Sequence, residues 1–153
     1  MDTTAPSERI RAATRVALCA LVILVTVMGC GMLRKSMDVD YDDQRLNDGL
    51  AEVMRTKASA RLSDFTSWEW DEVHLFHEHT PRDFIERTVG APVIKSDYFG
   101  SKASLLVFEN HGQPVKAAGI PGDYLRGADH RVSFPADATV QPYGGGFMAL
   151  TAP

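Results

Sequence analysis

The longest hydrophobic pattern in the chain is Val16 to Leu33 (VALCALVILVTVMGCGML), an apolar run without a charge. Eighteen residues at about 1.5 Å each make a helix of roughly 27 Å, enough to cross a bilayer core. Residues 34–43, RKSMDVDYDD, are charge-dense and read as a short tether. Leu46, Leu50, Val53, Met54 and the stem of Lys57 then recur at helical spacing. They predict a helix from near Gln44 to near Ala60, with Asp42 or Asp43 accepting hydrogen bonds from its free first-turn amides. Gly49 weakens that helix without forbidding it.

Beyond it, the period shortens. Trp68 to His77 (WEWDEVHLFH) is rich in aromatic and branched residues with partial alternation, as in a strand. Thr80-Pro81-Arg82-Asp83 reads as a helix start, with Thr80 as cap and Pro81 in the first turn. Phe84, Ile85 and Val89 form its apolar face, and Gly90 with Pro92 ends it. Ser104 to Glu109 is a buried-looking strand, Asn110 to Gln113 a turn, and Val115 to Ile120 the returning arm of a hairpin. Arg131 to Phe134 and, after the Gly144-Gly145-Gly146 hinge, Phe147 to Leu150 add short strands. The expected class is α+β: a small antiparallel sheet of three to five strands packed with two helices, over residues 44–153.

Charge divides the chain. Residues 1–37 hold five Lys/Arg against Asp2 and Glu8, a balance of +3. Residues 38–153 hold eleven against eighteen acids, a balance of −7. Arg9, Arg11 and Arg15 lie ahead of the run, so residues 1–15 read as a cytoplasmic basic region and the acidic domain as extracytoplasmic. Residues 16–33 are either an uncleaved transmembrane helix or a signal peptide. Val27-Met28-Gly29-Cys30 resembles the lipobox of bacterial lipoproteins, and that resemblance makes Cys30 the lipid-attachment residue. With Cys19 inside the run, the outer domain has no disulfide and depends on its own core. Its acidity opposes nucleic-acid binding, which needs cations against phosphate, and leaves the anchor as its contact with the cell membrane.

Trp70-Asp71-Glu72-Val73-His74-Leu75-Phe76, then Thr80-Pro81, then Leu105-Leu106-Val107-Phe108 before the Asn110-His111-Gly112 turn, carry a wider likeness. Their order resembles a group of small uncharacterised bacterial lipoproteins and single-helix membrane proteins. These have a W-D-x-V-x-x-F strand, a T-P helix start and an L-x-V-F hairpin. The resemblance covers about half the chain. It implies fold and a cell-envelope location, and adds no chemistry.

The sharpest chemical pattern is His74-x-x-His77-x-His79. Imidazoles two apart on a strand share a face, so His77 and His79 are the candidate metal pair and His74 points the other way. A third ligand would come from His111 or His130. Strand-end histidines that pair with acids are the commoner arrangement, so no metal or other cofactor is assigned. Glu69, Asp71 and Glu72 read as a charged strand edge rather than a catalytic pair. No G-x-S-x-G elbow is present and the outer domain lacks a cysteine nucleophile. The expectation is a non-enzymatic, membrane-anchored interaction module with an envelope protein partner. The alternative is a metal- or ligand-binding envelope protein using His74, His77 and His79.

Overall fold

The computed structural model describes residues 35–100 and 102–153. The basic stretch 1–15, the apolar run 16–33 and Cys30 lie outside the described residues. Among the described residues no helix is long and apolar enough to cross a membrane.

The class is α+β, with nine strands in two sheets among the described residues. The first sheet has the order β1 (Val39–Asp40), β5 (Gln113–Pro121), β4 (Ala103–Asn110), β3 (Glu72–Phe76), β7 (Ser133–Pro135). The second has the order β2 (Ala60–Arg61), β8 (Thr139–Gly144), β9 (Phe147–Thr151), β6 (Leu125–Gly127). The expectation of one antiparallel sheet is therefore corrected on two counts. A second sheet exists, and the β1–β5 and β6–β9 pairs are parallel. Parallel neighbours need a crossover rather than a turn, and short edge strands leave little trace in local periodicity.

The first sheet is covered on both faces. Val73, Leu75, Leu106, Phe108, Ala118 and Ile120 face a core shared with the second sheet and with α1 (Gln44–Thr56). Phe76, Leu105, Val107 and Ala117 face a second core closed by Ile85 and Val89 of α2 (Arg82–Val89) and by Val93, Ile94 and Phe99. Double coverage explains why β4 reads as a continuous apolar run instead of an alternation.

Helix α1 follows the sequence closely. Asp43 Oδ1 accepts from the Leu46 amide at 3.1 Å, and Leu46, Leu50 and Val53 are buried. The helix stops at Thr56, short of Ala60, because Lys57 turns left-handed at φ 60°. Gly49 has a positive role. A Cβ there would run into the ring of Phe65, which packs against the core from the 3-10 turn Leu62–Phe65. Helix α2 starts one residue later than expected. Pro81 holds the cap position without a side-chain bond, while Thr80 Oγ1 donates instead to the His77 carbonyl at 2.7 Å. Phe84, expected in the core, is 40 % exposed and meets Phe76 only edge-on.

Part of the segment read as a tether is structural. Val39 and Asp40 pair with Ala117 and Ala118, and Lys116 Nζ donates to Asp40 Oδ2 at 2.6 Å. Trp68 and Trp70, expected inside the strand, precede it and set their rings edge-on to Phe108. The hairpin between β4 and β5 turns on His111 (φ 51°) and Gly112 (φ 70°), the two-residue loop with both angles positive. Near its tip the register slips. Glu109 faces Pro114 while Phe108 faces Lys116, leaving Val115 as a bulge.

Candidate functional site

The pairing of β3 with its two neighbours sets the chemistry of one sheet end. Glu72 stands opposite Glu109 of β4 and opposite Pro135 of β7. His74 stands opposite Val107 and opposite Ser133. Because side chains alternate along a strand, Glu72, His74 and Phe76 share the face that also carries Leu105, Val107 and Glu109. This register places two carboxylates directly across from each other, an arrangement that repels.

His74 and Glu109 are buried deeply. Their side chains are 4 % and 8 % exposed, whereas Glu72 is exposed. His74 Nδ1 lies 2.7 Å from Ser133 Oγ, which fixes the orientation of the ring. Its Nε2 faces Glu109 Oε1 at 3.5 Å, too long for a charge-assisted hydrogen bond. Neither atom has any hydrogen-bond partner. One ligand-type atom from each of Glu72, His74 and Glu109 lies within 4.8 Å of the others, the group with that property among the described residues. A cleft of ≈ 460 Å³ runs past Glu72, Ser133, Pro135 and Arg131.

The histidines singled out by spacing go elsewhere. Strand β3 ends at Phe76, so the shared strand face expected of His77 and His79 does not form. His77 Nδ1 bonds Asp123 Oδ1 at 3.1 Å. Asp123 also accepts from Arg126 at 3.0 Å and from Ser104 at 3.2 Å. Burial pushes the Asp123 carboxyl up, but the His77 bond and the Arg126 charge together outweigh it and leave its pKa lowered. His79 is exposed in a left-handed turn at φ 62°. His111 sits at the exposed hairpin tip, its amide donating to Asp71 Oδ2 at 2.8 Å. His130 lines a different cleft with Arg126 and Tyr143.

His74 is thus the histidine that meets a carboxylate cluster, and Glu109 is the partner that spacing did not single out. Its one signal was a charge at the end of Leu105-Leu106-Val107-Phe108, where an apolar run predicts burial. Glu69 and Asp71 lie outside β3, and Asp71 is engaged by the His111 amide. No family model, curated protein or solved structure matches the chain.

Proposed function

We propose that this chain is a membrane-anchored extracytoplasmic module that works by binding another envelope component rather than by catalysis. The observation that carries the reading is the uncharged Val16–Leu33 run behind Arg9, Arg11 and Arg15, followed by a module with a balance of −7. Basic flanks stay on the cytoplasmic side, and an anchor raises the effective concentration of what it holds at the membrane. The likeness to small bacterial lipoproteins supports the location, with Cys30 as the acylated residue. Binding is supported by Tyr143, 68 % exposed, and Phe147 at the β8–β9 hairpin, with Arg126 stacked 4.7 Å from the Phe147 ring. Aromatic residues and arginine dominate contact hot spots.

The test is fractionation of cells expressing the untagged chain, with protease added to intact spheroplasts. The protein should sediment with membranes and lose its folded module to the external protease. Intact mass then separates the two anchors: a chain beginning at acylated Cys30, or the full length. Recovery in the cytosolic fraction, protected from protease, defeats the proposal.

A further inference from the structure

We propose that Glu72, His74 and Glu109 form a binding site for one first-row divalent cation, with Zn²⁺ as the best-fitting ion. The inference stands on the geometry of the sheet and does not rest on membrane attachment.

The argument begins with what the cluster lacks. Burying a carboxylate or imidazole without a partner costs several kcal/mol by order of magnitude. Here two such groups are more than nine-tenths buried, and their facing atoms, His74 Nε2 and Glu109 Oε1, make no hydrogen bond in the protein and stand 3.5 Å apart. Of the four buried side-chain atoms without partners among the described residues, these two face each other. The strand register adds a further carboxylate, Glu72, directly opposite Glu109. Three ligand-type groups therefore converge at one end of the sheet.

The spacing then separates a shared ion from a direct contact. A hydrogen-bonded imidazolium and carboxylate stand about 2.7–2.9 Å apart. Two donors on one tetrahedral zinc, each about 2.0–2.1 Å from the metal, stand roughly 3.3–3.5 Å apart. The separation from His74 Nε2 to Glu109 Oε1 is 3.5 Å. Glu72 completes the set within 4.8 Å and is exposed, so its flexible side chain closes the remaining distance.

Chemistry selects the class of ion. One imidazole nitrogen with two carboxylates suits zinc and its first-row neighbours better than Ca²⁺ or Mg²⁺, which prefer all-oxygen shells. A divalent ion also neutralises two carboxylates beside a neutral imidazole, leaving the half-buried cluster uncharged. Ser133 Oγ, 2.7 Å from His74 Nδ1, supplies the outer bond that orients a ligating histidine. Three protein ligands would leave a fourth position for water or an anionic group, and Glu72, the exposed ligand, lines a cleft with Arg131.

The experiment uses the untagged full-length protein, extracted in detergent and stripped by chelator. It is titrated with Zn²⁺ by calorimetry, and with Co²⁺ while the visible ligand-field bands are recorded. Wild type should take up one equivalent of zinc at micromolar concentration or below and develop the cobalt bands. Glu109→Gln and Glu72→Gln should each weaken zinc about 100-fold or more and abolish the bands. Ser133→Ala should cost about 10-fold. Glu72 is exposed, so its variant keeps the measurement decisive even if Glu109→Gln fails to fold. His77→Ala combined with His79→Ala should bind as wild type. Three results overturn the site: no one-equivalent binding by wild type, unchanged binding by both glutamate variants, or loss of binding in the His77/His79 variant.

Discussion

Gly49→Ala offers a direct contest between local helix preference and tertiary packing. In an isolated helix the change is favourable by about 0.8–1.0 kcal/mol, because alanine loses less backbone entropy. Gly49 occupies the middle of α1, however, and the added Cβ would overlap the ring of Phe65. The ring packs against the main core and is half-buried, so it either strains the packing or swings out. Overpacking costs about 1–3 kcal/mol, and removing a half-buried phenylalanine from its place costs about 1 kcal/mol of apolar contact. Setting these against the propensity gain leaves a net loss between about 0 and 2 kcal/mol, up to about 8 °C in Tm for a module of this size. The assay is thermal unfolding of the detergent-extracted protein followed by near-ultraviolet circular dichroism, alone and in a Phe65→Ala background. Gly49→Ala should destabilise the first protein and stabilise the second by about 0.5–1 kcal/mol, the sign reversal expected of directly coupled neighbours. Stabilisation in both backgrounds would refute the close approach of Phe65 to the helix.

Three further substitutions have definite expected outcomes. The lowered Asp123 pKa makes its interactions with His77 and Arg126 stabilising above the unfolded carboxylate value of about 3.9, and that stability disappears as pH falls through the depressed folded value. Asp123→Asn should therefore cost about 1–2 kcal/mol at pH 7 and flatten the loss of stability below about pH 4, read by denaturant titration across that range. At the β4–β5 turn, His111→Asn creates the Asn-Gly pair preferred where both angles are positive, and should raise stability by a few tenths of a kcal/mol. Gly112→Ala at φ 70° should lower it by about 1–2 kcal/mol, although the added methyl meets no neighbour. Both are measured by Tm.

Elements whose signal lies within a dozen residues were legible in the sequence. Asp43 caps α1 where its carboxylate and the Leu46-Leu50-Val53 stripe place it, and Asn110 to Gln113 turns as its residues suggest. Strands β1, β2 and β6, of two or three residues, were hidden because their pairing is with distant partners. Strand β8 was masked by Pro142 and by the glycines after it. The candidate site shows the same division. Spacing grouped His77 with His79 on the premise of a continuous strand, but β3 ends at Phe76 and Asp123 takes His77. The joining of Glu109 to His74 depends on the β3–β4 register, a contact across 35 positions that no local pattern encodes.

The lengths of the outermost strands carry a last consequence. β4 and β5, of eight and nine residues, lie inside the first sheet, while its borders are the two-residue β1 and the three-residue β7 ending in Pro135. The second sheet is bordered likewise by β2 and β6. Little unpaired ladder is thus offered to a stranger, since a template of two or three residues recruits poorly and proline withholds a donor. Residues 39–40 are the latch on this arrangement. A chain trimmed to start at α1 would bare the Ala117–Ala118 stretch of β5 and invite self-association into aggregates.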